Sequence, residues 1–270
     1  MTTKNIMTLS TREANLLSQL AATGKSVFTV EDARTILGDS AGVAEALHRL
    51  VRKGWLHRLE RGLYLVVPLE AGPERSWTES ALVIAPHLIQ PAALAYWTAL
   101  HYWNFTEQIP QVTQIQTTGR KQAIEILGMR FQFVTVSEAR FFGIIQRSLG
   151  DKFFSITDRE KTLLDAAARP DLSGGATQLA QALRTANAQV DWAKLGAYLV
   201  RWGGGVVVKR LGYLVEVLSI PAPNRELMLK EWQSLVSQGI SLLEPGASPD
   251  GPVITRWKLR VNVSIAIGGP

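Results

Sequence analysis

The chain opens with three short segments whose apolar residues recur every three or four positions. Between Leu9 and Thr23, Leu16, Leu17, Leu20 and Ala21 share one face of a helix. Ser10 and Glu13, three apart, form the pattern of a capping box, in which each side chain satisfies the other residue's backbone N–H. Gly24 ends the segment. Thr29 and Asp32 repeat the cap signal before Val30, Ala33, Ile36 and Leu37, and Gly38 stops that helix. A third helix is expected over 41–53, with Ser40 or Asp39 as its cap, Val43, Leu47, Leu50 and Val51 inward, and Gly54 as its terminator. Two strands then follow, Trp55–Leu59 and Leu63–Val67, joined around Glu60-Arg61-Gly62, where Gly62 supplies the positive φ of a hairpin turn.

Helix, helix, helix, hairpin is the order of a winged helix-turn-helix, in which the third helix enters the DNA major groove and the hairpin touches flanking backbone. The predicted first domain is therefore 1–70. Residues 68–76, with two prolines and a glycine, read as the linker.

Beyond it, 71–270 reads as a larger mixed domain of helices around a small sheet, so the fold class is α+β. The predicted elements are a long apolar helix at 91–103 and two paired strands, 111–118 and 129–136, around a polar turn at Gly119-Arg120-Lys121. Helices follow at 157–168, 177–186, 191–202 and 209–218. A further helix at 225–236 and an edge-like strand from Thr255 close the chain.

Composition sharpens this picture. The formal net charge is +6, which favours an anionic partner. Cysteine is absent, so disulfides, thiolate metal sites and cysteine nucleophiles are excluded, and a reducing cytoplasm is the expected location. The opening residues lack a signal-peptide pattern. Pro86, His87 and Pro91 interrupt the most apolar stretch, which reads as core.

The charge is concentrated where the winged helix would meet DNA. Inward packing of the third helix turns Glu45, His48, Arg49 and Arg52 outward. The residues predicted to contact DNA are Ser40 at the helix start, Arg49 and Arg52 at the groove or its walls, and Lys53, Arg58 and Arg61 at the backbone. Lys and Arg neutralise phosphates, and Arg pairs with guanine in a bidentate fork.

Other candidates carry less chemistry. Asp158, Glu160 and Asp165 invite a metal reading, but Thr157 with Glu160 has the spacing of a capping box, and Glu160 and Asp165 are poorly placed to share a helix face. Residues 203–210 lack the spacing of a phosphate loop, although Lys209, Arg210 and Arg201 have the charge for an anion-binding patch. The four histidines show no metal-ligand spacing, with His101 expected as a buried, hydrogen-bonded imidazole. No catalytic set or cofactor motif is apparent. The alternatives to DNA binding are a winged helix used for protein contacts, a regulator without a toxin, and a nucleotide-processing enzyme.

Three downstream stretches, "YWTALHYWNFTEQIP" (96–110), "FFSITDREKTLLDAAARPDLSGG" (153–175) and "VVVKRLGYLVEVL" (206–218), resemble the AbiEi antitoxin family of bacterial type IV toxin–antitoxin systems. The resemblance implies a non-enzymatic repressor of its own operon that acts without a cofactor. It also implies two partners: operator DNA upstream of that operon, and a nucleotidyltransferase-like toxin countered mainly by the C-terminal domain in phage defence.

Overall fold

The structure, a computed structural model, describes residues 8–38, 42–72 and 77–265. Backbone contacts divide the chain into two compact units. One comprises Met1–Leu88, Glu125–Met129 and Ser148–Phe153; the other comprises Ile89–Ile124, Arg130–Arg147 and Phe154–Pro270.

The first unit begins α1 (Thr11–Ala22), β1 (Val27–Thr29), α2 (Val30–Leu37), α3 (Val43–Arg52), β2 (Leu56–Glu60) and β3 (Leu63–Val66). Both capping boxes form as the spacing predicts. Glu13 N donates to Ser10 Oγ while Ser10 N donates to the Glu13 carboxylate at 2.7 Å, and Thr29 and Asp32 repeat the exchange. Leu16, Leu20, Phe28, Ala33, Val43, Leu47, Leu50 and Leu56 make the core. Burying each large aliphatic side chain contributes roughly 1.5–3 kcal/mol.

Strand β1 was not foreseen, because three residues are too few for an alternating pattern. It pairs antiparallel with β3, so the wing is the outer part of a three-stranded sheet in the order β1-β3-β2. Asp39 and Ser40, the expected caps of α3, lie outside the described residues. The helix starts at Val43 on Gly42, with no side-chain cap bond. A 3-10 turn at Leu69–Ala71 and helix α4 (Ala81–Leu88) follow among the described residues.

From β4 (Ala93–Leu94) and α5 (Tyr96–Tyr102) the chain enters a mixed sheet built with β5 (Val112–Thr117), β6 (Ile124–Ile126), β7 (Met129–Thr135), β8 (Ile144–Leu149) and β9 (Lys152–Thr157). The order is β6-β7-β5-β4-β9-β8. Two expectations fail here. The apolar run 91–103 is split between strand and helix, because Leu94 pairs with both Ile115 and Ile156, so sheet pairing overrides helical periodicity. The strands 112–117 and 129–135 do pair, but in parallel, with β6 inserted between them in sequence.

The helices α6 (Arg159–Ala168), α7 (Gly175–Ala186), α8 (Trp192–Trp202), α9 (Val206–Val217) and α10 (Arg225–Ser234) follow. Helix α6 is buried from Glu160 to Ala167 and packs against α5, α7, α8 and α9. Of the predicted C-terminal strand only β12 (Leu259–Arg260) is extended; a 3-10 turn at Thr255–Trp257 precedes it, and it pairs with β10 (Ser241–Leu242) and β11 (Val253–Ile254) in a small sheet. Among the described residues, no helix is long and apolar enough to cross a membrane.

Candidate nucleic-acid interface

Helices α2 and α3 form the helix-turn-helix, and β2 with β3 forms the wing. Helix α3 presents Ala44, Glu45, His48 and Arg52 to solvent, spaced along one face. Opposite them, Val43, Ala46, Leu47 and Leu50 are buried. The wing turns at Arg61-Gly62, with Gly62 at φ +81°, where a β-carbon would be strained. A register shift between Arg58 and Glu60 lies next to that turn; such bulges sharpen the local twist.

The six sequence-predicted contact residues fall into three groups. Arg52, Arg58 and Arg61 are exposed, and none forms an ion pair among the described residues. Arg58 Nε donates only to the Glu60 carbonyl, at 3.3 Å. Arg49 and Lys53 are tied down instead: Arg49 Nε and Lys53 Nζ both reach the Glu13 carboxylate, at 3.2 and 2.7 Å. Arg49 also meets Glu45 at 2.6 Å, and Lys53 donates to the Thr8 carbonyl. Ser40 lies outside the described residues.

Glu13 is the residue whose wider role sequence reasoning missed. Its side chain is fully buried. Burial raises its carboxyl pKa, but hydrogen bonds from Lys53, the Ser10 backbone and Arg49 outweigh that and hold it at about 2. One carboxylate thus caps α1 and clamps α3 to it. Only the first job is visible in local spacing, since Arg49 is 36 residues away. Arg12 was missed as well. Its guanidinium sits beside Gly42, 2.9 Å from where a β-carbon would stand, and so brings a further cation to the start of α3.

The other sequence candidates have structural occupations. Asp158, not Thr157, caps α6 by accepting from Lys161 N at 2.8 Å. Thr157 is turned to the Thr162 hydroxyl, and Glu160 accepts from Asp191 N. Asp158 and Glu160 share Lys194, each at 3.0 Å. Asp165 is buried against Lys161 at 2.5 Å; burial pushes its pKa up, against the pull of that lysine. Lys209 and Arg210 do not form an anion-binding patch. Both are buried, Lys209 donating to the Gly239 carbonyl and Arg210 to those of Ala167 and Leu242. His101 Nδ1 has no hydrogen-bond partner among the described residues, against expectation.

Residues 15–67 match the family model described as a transcriptional regulator, the AbiEi antitoxin. The likeness to that family model is confined to this segment. The AbiEi match runs from the second turn of α1 through the wing, and so contains all five described residues predicted to contact DNA, Arg49, Arg52, Lys53, Arg58 and Arg61. The stretches that carried the AbiEi resemblance in sequence lie outside it; they form α5, β9 with α6, and α9, and meet at α6. No curated protein matches the chain. Among solved structures, the chain is similar to the crystal structure of the RV2827C protein from Mycobacterium tuberculosis. The likeness has a TM-score of 0.62 at 18% identity and covers 93% of this chain and 92% of that one. At that identity it speaks for the fold.

Proposed function

We propose that this chain binds operator DNA upstream of its own operon and represses it, and that it is the antitoxin to a nucleotidyltransferase-like toxin in a cytoplasmic phage-defence system. Residues 1–70 take the DNA and 71–270 counter the toxin. The observation that carries the reading is the pairing of exposed Arg52 on α3 with exposed Arg58 and Arg61 on the wing. Such cations meet phosphates on both sides of a major groove that holds α3. Ser40 serves the helix start. Arg49 and Lys53 act mainly by fixing α3 through Glu13, and Arg49 keeps a reachable outer edge.

The protein-contact alternative has one observation in its favour. The first unit has eleven Lys/Arg and eleven Asp/Glu, so it has no net charge to draw it to DNA. Operator recognition therefore has to come from the local arrangement of α3 and the wing. The test is a reporter gene driven by the chain's own upstream region. Repression by the native chain, lost with Arg52→Ala plus Arg61→Ala at equal protein level, supports the reading; equal repression by both refutes it. Rescue of growth on co-expression with the neighbouring toxin tests the antitoxin half separately.

A further inference from the structure

The +6 excess charge of the chain lies entirely in the second unit, with eighteen Lys/Arg against twelve Asp/Glu. Part of it is internally paired; among the arginines that are not, four share a second feature. Arg140, Arg147, Arg159 and Arg201 make no ion pair and no side-chain hydrogen bond among the described residues. All four guanidinium groups instead lie over aromatic rings.

They form two platforms. Arg140 stacks over Trp202 and Arg201 over Phe142, each 4.1 Å from the ring centre, and the buried Lys161 lies against both rings from within. Arg147 and Arg159 both lie over Trp103, at 5.0 and 4.7 Å. That indole is fixed by its N–H bond to the Thr157 carbonyl. The platforms flank one junction, where Asp158 N donates to the Gly143 carbonyl at 2.7 Å and joins the start of α6 to the segment leading into β8. The Nε atoms of Arg147 and Arg159 are buried with no acceptor.

We propose that this arginine–aromatic surface docks an acidic face of a protein partner. Stacking uses the planes of the guanidinium groups and leaves their edges to form paired hydrogen bonds with carboxylates. The composition favours protein over nucleic acid: arginine stacked on tryptophan and phenylalanine is the signature of a protein hot spot, and the neighbouring Lys194 is already held by Asp158 and Glu160. The proposal rests on the reading of this unit as one that meets a protein, and under that reading the toxin is the partner.

The test uses the full-length chain and three probes: a fluorescein-labelled poly-glutamate peptide, a scrambled DNA duplex and the purified toxin. Two variants remove the platforms, Arg147→Gln with Arg159→Gln and Arg140→Gln with Arg201→Gln. A control, Arg225→Gln with Lys230→Gln, removes the same charge from α10, and circular dichroism melts establish folding. Arg→Lys versions of the platform pairs keep the charge and fold while losing the planar fork.

Each platform pair is expected to weaken peptide and toxin binding by about tenfold or more, with the control within about twofold and operator affinity unchanged. Equal losses in platform and control variants would overturn the proposal, since binding would then follow net charge. So would loss of duplex binding with peptide binding intact, which would make the surface a nucleic-acid contact. Platform-dependent peptide binding with no binding of the toxin would support the surface and count against the toxin reading alone.

Discussion

Replacing Glu13 by Gln separates the stability of the winged helix from its affinity for DNA. In the folded chain the Glu13 carboxyl titrates near 2 against an ordinary value of 4.5. That difference corresponds to about 3 kcal/mol of folding free energy at neutral pH. The folded pKa is depressed, so this stabilisation is fully present above the unfolded value and is lost as pH falls from about 5 towards 2. Glutamine keeps the shape and part of the capping but leaves Lys53, whose side chain is only 14% exposed, without its counter-charge. A loss of about 2–3 kcal/mol is therefore expected at pH 7, shrinking steadily below pH 5. The assay is amide hydrogen exchange in α1 and α3, which reads the opening free energy of this unit by itself. The same substitution removes one negative charge behind the DNA-facing helix, so nonspecific duplex binding should tighten slightly. An unchanged opening free energy at pH 7, or a loss that is the same at pH 7 and pH 3, would refute the reasoning.

Three further outcomes are expected. Arg52→Ala should weaken operator binding with little change in melting temperature and should lower the salt slope by about 0.9 for each phosphate that is no longer neutralised, read from titrations at several salt concentrations. Lys53→Ala should instead lower the melting temperature, because it leaves the buried Glu13 without the strongest of its hydrogen-bond partners. Gly212→Ala should destabilise the second unit by about 1–3 kcal/mol or more in urea unfolding, since the new methyl would stand 2.2 Å from the buried Trp257 ring; Gly196→Ala, whose nearest neighbour is 3.4 Å away, is the mild comparison.

Local chemistry made much of the first unit legible. Ser10 with Glu13 and Thr29 with Asp32 set two helix starts to the residue, and Gly54 and Gly62 marked the end of α3 and the wing turn. What escaped depends on pairing across the chain. Strand β1 exists because β3 is there to pair with it, and Ala93–Leu94 is a strand because Ile115 and Ile156 lie on either side. The candidate interface shows the same division. Helical spacing correctly turned Arg52 outward, but it turned Arg49 outward by the same rule and could not show that a buried carboxylate in α1 holds it. Likewise, no spacing argument shows that Lys209 and Arg210 are buried, because their acceptors are carbonyls more than twenty residues away.

The most direct test of the central claim is fluorescence anisotropy of the native chain and the Arg52→Ala, Arg58→Ala, Arg61→Ala triple variant. Each is titrated with the DNA upstream of its own gene and with scrambled DNA, at low and high salt. The expected result is tight binding of the native chain to the upstream fragment, weak and strongly salt-dependent binding to the scramble, and loss of the difference in the triple variant. Equal affinity of the native chain for both fragments, or a triple variant that still prefers the upstream one, would contradict a winged-helix repressor that reads DNA through α3 and its wing.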